Sequence, residues 1–473
     1  MLAEPENATL RLALLVVIAG GGLAAALLIS RRSAWPPAGP LALIAATPLI
    51  PSLPVAYGLS TDDVLPVVGA LTCLLVVDRR TASLIGWPRA LAVGAALMCI
   101  AGLIASVSNA DGPVQGFQMT LKAVGHIALL ALVGTSVALT LPVERRRGFV
   151  ARAIAIVATA EAAFGLIAWV LPLPGNAGLE ASRHMTALLD RVAGRIAGTT
   201  GLSPNFLGAI FVLSLPLTVA LALRATHRRG QMVWWAAASA QLLALSLTFT
   251  RTSLVIAIAI LAILLLARGR ARALLVLGVL VAVVAVMTPL AGRLLGDSND
   301  RAALWTSAIR MMLDHPLTGV GPGRMLVAAA LDPERYQITA FGMATNNAHN
   351  TILLPGAETG MLGALGSLLV NLSIAAGAIA VLIVAARRAR SGQTPSERTP
   401  AEDLTSAAAL GVLGFLVQGM TNNLFAVQVT SVMAMLVFST FLLPGSSLLS
   451  ALRRGADAPS RRRSSSAYSP SDP

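Results

Sequence analysis

Three arginines and one histidine carry the clearest capacity for chemistry in this sequence: Arg195, Arg251, Arg301 and His349. A guanidinium donates paired, charge-assisted hydrogen bonds from a planar fork and stays ionised at any relevant pH, so three of them converging would neutralise an anion as charged as a diphosphate. An imidazole with a pKa near about 6.5 takes a proton from a hydroxyl at neutral pH, which makes His349 a candidate general base. The bland alternative is a histidine that caps or anchors the outer end of the following apolar run. Arg301 opens an amphipathic helix to Asp314, with Asp297, Ser298 and Asn299 as cap candidates and Leu304, Trp305, Ala308, Ile309 and Met312 as one apolar stripe. Arg301 precedes Leu304 and Trp305 by three and four residues and shares their face, while Arg310 projects from the opposite side with Thr306 and Ser307. An arginine on the buried side needs an anion: a substrate, Asp297, a helix end or, by snorkelling, a lipid phosphate.

These residues need elements to hold them. Asp297 to Gly363 is a polar segment broken by His315-Pro316 and by Gly319-Val320-Gly321-Pro322-Gly323, and it leads through His349-Asn350 into a run with Gly356, Gly360, Gly363 and Ser367 at helical spacing. Small residues so spaced allow close helix approach and would seat His349. The glycine turn ends the Arg301 helix; a backbone nest for phosphate is the sharper alternative. Arg195 stands before Pro204-Asn205, and Arg251 lies within Thr248-Phe249-Thr250-Arg251-Thr252-Ser253.

The chain of 473 residues is 56% hydrophobic and 12% charged, with a mean hydropathy of +0.77, which excludes an ordinary soluble domain. About thirteen apolar runs long enough for membrane helices lie between residues 10 and 443. The expected fold is an all-α polytopic membrane bundle of twelve or thirteen spans. The net charge of +14 comes from arginine clusters in alternate gaps between the runs, the positive-inside pattern, rather than from a nucleic-acid surface. Those gaps are assigned to the cytoplasm, so the loops 172–203 and 291–351 face outside. The proline-rich run Thr47 to Pro66 is the weakest of these spans, and a half-span there would restore an even count. Residues 1–148 form N-terminal membrane helices, 149–445 the main membrane domain, and 446–473 a basic cytoplasmic tail without apolar periodicity, read as disordered.

The elements Arg301-x-x-x-Trp305, His315-Pro316-Leu317-x-Gly319-Val320-Gly321 and His349-Asn350, followed by Gly360-Met361-Leu362-Gly363, resemble the O-antigen ligase and polymerase superfamily of bacterial membrane proteins. The resemblance runs from about residue 150 to 440. It implies a metal-independent, inverting glycosyltransferase of the cytoplasmic (inner) membrane, with its site facing the periplasm and no cofactor. The implied donor is a glycan on a polyprenyl pyrophosphate such as undecaprenyl pyrophosphate, and the implied acceptor a lipid or glycan hydroxyl. His349 matches the family's essential histidine. Arg195, Arg251 and Arg301 would hold the pyrophosphate, supported by Asn350, Gly360, Gly363, Asn205 and Trp305. The His349-Asn350-x9-Gly360-x-x-Gly363 spacing leans toward a ligase, which adds glycan to lipopolysaccharide core, over a repeat-unit polymerase.

Other polar residues keep competing classes open. Lys122 and His126 lie one helical turn apart, Glu161 sits mid-span in the next run, and intramembrane charges are functional candidates by default. A structural Lys122–Glu161 pair is expected, with a role in a substrate groove as the alternative. Asp62-Asp63 would suit a metal-dependent membrane glycosyltransferase, and broken helices with mid-depth charge would suit a transporter. Cys73 and Cys99 fall inside apolar runs and indicate neither a disulfide nor a metal site.

Overall fold

The computed structural model describes residues 20–33, 35–49, 54–56, 59–76, 88–140, 142–171, 179–180, 195–199, 203–267, 299–336, 339–340, 343–344, 347–390, 399–426 and 428–443. The chain is an all-α polytopic membrane protein. Six helices among the described residues are long and apolar enough to cross a membrane: α4 (Arg89–Asn109), α5 (Pro113–Ala138), α6 (Val143–Val170), α7 (Pro204–Arg224), α12 (Leu353–Arg390) and α13 (Pro400–Gly419). Between and around them lie α1 (20–33), α2 (Ala38–Ala45), α3 (Thr61–Val76), α8 (Arg228–Leu247), α9 (Arg251–Leu266), α10 (Asn299–Asp314), α11 (Met325–Leu331) and α14 (Gln428–Val437). The expected run at 272–290, the cap candidates Asp297 and Ser298, and the tail 446–473 lie outside the described residues.

The apolar run at 40–57 does not span. It forms the short α2, a tight turn at Thr47–Leu49 and a two-stranded hairpin, Pro54–Ala56 with Leu59–Ser60. Prolines at 48, 51 and 54 remove amide donors that a continued helix requires.

Helix α7 is the centre of the bundle, with 83% of its apolar window buried against α6, α8, α9 and α13. Ser203 caps it by accepting the Asn205 amide at 3.4 Å, and Pro204 occupies its first turn, where no amide donor is needed. Helix α13 starts with a reciprocal capping box between Thr399 and Glu402. Ion pairs Arg224–Asp403 and Arg388–Glu402 tie the ends of α7, α12 and α13 together at the arginine-rich end of the bundle. Arg146, one of an arginine cluster, is fully buried. Its Nη1 donates to the carbonyls of Val137, Ala138 and Thr140 at 2.8–2.9 Å, so it caps the end of α5, where helix carbonyls lack partners and carry partial negative charge.

A second, smaller core lies beyond the bundle: Leu304, Ala308 and Met311 of α10 pack with Val320, Met325 and Tyr336 and with Leu354 and Ala357 of α12. This contact seats the segment that carries Arg301 onto the segment that carries His349.

Candidate functional site

The arginine side is built on the turn between α8 and α9. Thr248 ends α8, Phe249 takes φ 51°, and Arg251 opens α9. Arg195, on a short strand (Arg195–Ile196), braces this turn: its Nε donates to the Thr248 carbonyl at 2.9 Å and its Nη2 to Asn205 Oδ1 at 3.1 Å. Asn205 Oδ1 also accepts from the Thr250 hydroxyl at 3.2 Å, and the Asn205 carbonyl accepts from Gln418 Nε2 at 2.9 Å. Two of the Arg195 donors are thus engaged within the protein, and Asn205 is the hinge pin between Arg195, the Arg251 turn and α13.

The histidine is fixed from both sides. Its amide donates to Asn347 Oδ1 at 2.7 Å, and its backbone sits at φ 49°. Asn350 Oδ1 caps the next helix by accepting the amides of Ile352 and Leu353 at 2.9 and 3.0 Å, while its Nδ2 donates to the Met420 carbonyl at 2.9 Å. Thr351 donates both its amide and its hydroxyl to the Gly419 carbonyl, at 3.0 and 2.9 Å. Thr421, just beyond, reaches Thr252 at 3.4 Å, so the end of α13 links the His349 loop to the Arg251 turn. Among the described residues, Phe249 and His349 are the two non-glycines at positive φ, and they flank the same site. Such conformations cost free energy, and they persist where the surroundings over-determine them.

The glycine pattern explains how α10 meets α12. Helix α12 breaks at Gly360 (φ 76°, ψ −170°), which leaves a short front piece from Leu353 and frees the Met361 amide to donate to the Pro316 carbonyl at 2.8 Å. A side chain at 360 would place its Cβ 2.5 Å from that carbonyl oxygen. The turn after His315 then docks on the front piece: the amides of Val320 and Gly321 donate to the carbonyls of Ala357 and Glu358 at 2.9 and 3.0 Å, and the Gly323 amide donates to Glu358 Oε1 at 2.9 Å. These amides are consumed by α12, so the glycine run is a docking turn and not a phosphate nest. Gly363 is held against Thr359 and the Pro355 carbonyl. Asp314 closes the loop that follows by accepting from Arg335 and from the Tyr336 hydroxyl, which holds its carboxyl down at about 2.

Burial and the charge of Arg301 push the His349 imidazole below its ordinary range, which favours the neutral, proton-accepting form. Burial and the charge of Arg251 likewise push Arg301 down, although a guanidinium remains ionised. The electrostatics therefore link His349 to Arg301 and Arg301 to Arg251. Trp305, one turn after Arg301, has a buried Nε1 without a partner among the described residues, as do Ser253 Oγ, Gln418 Oε1 and Asn422 Oδ1.

Two expectations are corrected. The buried stripe of α10 is Leu304, Ser307, Ala308 and Met311, whereas Ile309 is 39% exposed: the helix is rotated toward the small residues, because close docking on α12 admits a serine and an alanine better than an isoleucine. Lys122 does not pair with Glu161. Glu161 accepts the amide and hydroxyl of Thr199 at 2.9 and 2.5 Å, and Lys122 interacts with Glu358 beside Gly323. Thr248, Thr252, Glu358, Gln418 and Thr421 were not among the sequence candidates. For the threonines and Gln418 the signal is an uncharged polar residue at a helix end, which single-sequence reading cannot tell from an ordinary cap, while Glu358 lies inside α12. Among the described residues no group of three or more His, Cys, Asp or Glu side chains is placed to hold a metal ion.

No curated protein matches the chain. The family model described as O-antigen ligase matches residues 235–368, which include Arg251, Arg301, Trp305, His349, Asn350, Gly360 and Gly363 but not Arg195 or Asn205. Over those residues the membrane protein is similar to the O-antigen ligase family.

Proposed function

We propose that the protein transfers a glycan from a polyprenyl pyrophosphate to an acceptor hydroxyl at the external face of the bacterial cytoplasmic membrane, by a metal-independent, inverting displacement. His349 takes the proton from the attacking hydroxyl. Arg251 and Arg301 hold the pyrophosphate, with Arg195 bracing the turn behind them and adding its charge. Pyrophosphate departs as a stabilised anion, so no protein acid is required to protonate it. Attack by the hydroxyl oxygen on the anomeric carbon forms the glycosidic bond as the bond to the phosphate oxygen breaks.

The observation that carries this reading is the electrostatic chain from Arg251 through Arg301 to His349, in which a histidine favoured in its neutral form neighbours Arg301 and Arg301 neighbours Arg251. A base must be unprotonated to act, and a diphosphate leaving group needs fixed positive charge. The spacing from His349-Asn350 to Gly360-x-x-Gly363 favours a ligase acting on a lipid core, and the repeat-unit polymerase is the second reading.

Purified protein with a lipid-linked glycan donor and an acceptor should release polyprenyl pyrophosphate in the presence of a divalent-metal chelator. Release abolished by chelator and restored by metal would refute the metal-independent mechanism. Deleting the gene in the native strain should leave long glycan on the carrier and bare core; cores bearing a single repeat would instead identify a polymerase.

A further inference from the structure

Helix α6 carries a carboxyl group that the transfer mechanism leaves unused: Glu161, 1% exposed and inside an apolar helix. A carboxyl buried at such a place is costly, so its partners are informative. Thr199 engages both of its oxygens. Oε2 accepts the Thr199 amide at 2.9 Å and Oε1 accepts the Thr199 hydroxyl at 2.5 Å, while that hydroxyl also lies 3.0 Å from the Pro48 carbonyl. The backbone beside Thr199 is shaped for this approach: Gly198 takes φ 82°, and a Cβ there would stand 2.4 Å from Glu161 Oε2. One turn along α6, a Cβ at Gly165 would stand 2.3 Å from the fully buried Ile196 side chain. Glu161 and Gly165 are four residues apart and share a face of the helix. That face holds residues 195–199 at two points.

We propose that Glu161 is a positioning residue, which clamps residues 195–199 to α6 so that Arg195 sets the turn between α8 and α9. The strand cannot fix itself, because its pairing with Leu179–Glu180 involves two residues on each side, and an isolated hairpin is marginal at best. The Arg195 guanidinium ends a flexible stem, so its bonds to the Thr248 carbonyl and Asn205 Oδ1 keep their geometry only if the backbone beneath is held. Glu161 and Gly165 supply that constraint from the bundle. What the turn is set to do, which is to present Arg251 to the donor's pyrophosphate, rests on the glycosyl-transfer reading. The bland alternative is a carboxyl that satisfies Thr199 and affects nothing beyond its own loop.

Hydrogen exchange of the full chain in phosphatidylcholine vesicles tests the clamp without any substrate. Glu161→Leu should speed exchange about 10-fold in peptides covering residues 195–199 and 248–252, roughly the worth of the two bonds lost, and leave the His349 loop unchanged. Glu161→Gln should exchange like wild type, because its oxygen accepts the Thr199 amide and its NH₂ donates to the Thr199 oxygen. Thr199→Val removes the hydroxyl and keeps the amide; it should give a smaller change of the same kind, and it serves if the leucine variant does not fold. Faster exchange at 195–199 with the turn unmoved overturns the positioning role, as does a glutamine variant that behaves like leucine. In transfer assays with a lipid-linked glycan donor, Glu161→Leu should raise the donor KM about 10-fold and cost nothing further in an Arg195→Ala background. Additive losses would show that Glu161 does not act through Arg195 and would overturn the proposal. The expected exchange pattern in a protein that transfers no glycan counts against the catalytic reading and leaves the clamp standing.

Discussion

Replacing Gly360 with alanine should separate the catalytic segment from the bundle. The position combines φ 76° with ψ −170°, a region essentially reserved for glycine, and a Cβ there would stand 2.5 Å from the Pro316 carbonyl oxygen. Strain of this kind costs on the order of 1–3 kcal/mol. Relief of the clash requires the Pro316 turn to move away, which also breaks the 2.8 Å bond from the Met361 amide, worth roughly 0.5–1.5 kcal/mol. Together these give about 1.5–4.5 kcal/mol of local destabilisation, felt where α10 and the His349 helix dock. Gly148→Ala is the matched control. It lies within α6 with only the Arg152 guanidinium within reach, at 3.9 Å, so the same methyl should be neutral or stabilise by up to about 1 kcal/mol through helix propensity. Thermal unfolding of both purified variants, with glycan transfer measured alongside, decides the matter. A Gly360→Ala protein that melts and turns over like wild type while Gly148→Ala does not would refute the reasoning about the break.

Other consequences are equally open to measurement. Arg301→Gln should move the acid limb of the pH–rate profile upward, because removing a neighbouring positive charge lets His349 protonate at higher pH; an unmoved limb would uncouple the two. Arg301→Lys should impair transfer despite keeping the charge, since the paired fork is lost, and rates equal to wild type would argue against bidentate phosphate binding. Arg146→Met should cost at least about 3 kcal/mol, because three carbonyls at the end of α5 lose a charged donor together. Asp314 lies below its usual range, so its bonds to Arg335 and Tyr336 stabilise the loop above the ordinary carboxylate pKa and are lost as pH falls through about 2; protease protection of the loop at pH 3 checks this.

The residues that bring charge or an imidazole to the site are legible in the sequence, because apolar runs leave few places for them and the arginines mark helix ends. The charge of Arg251 acts on Arg301, and that of Arg301 on His349. The conformations that join them are not legible: nothing in Thr248-Phe249-Thr250 announces a phenylalanine at positive φ, since tertiary contacts through Arg195 and Asn205 impose it. Lys122 finds Glu358 rather than Glu161 because the register between α5 and the front piece of α12 depends on the break at Gly360, which periodicity does not reveal. The rotation of α10 has the same origin, for an apolar stripe read from hydropathy ranks isoleucine above serine, whereas close helix docking selects for size.

The central claim is that His349 is the base of a glycosyl transfer whose donor is held by the neighbouring arginines. Its most direct test is the turnover of His349→Ala with a lipid-linked glycan donor under conditions where donor binding is measured separately. The expected result is a rate lower by about 10²–10⁴, the usual contribution of a general base, with donor affinity retained. Transfer at the wild-type rate in that variant would contradict the claim.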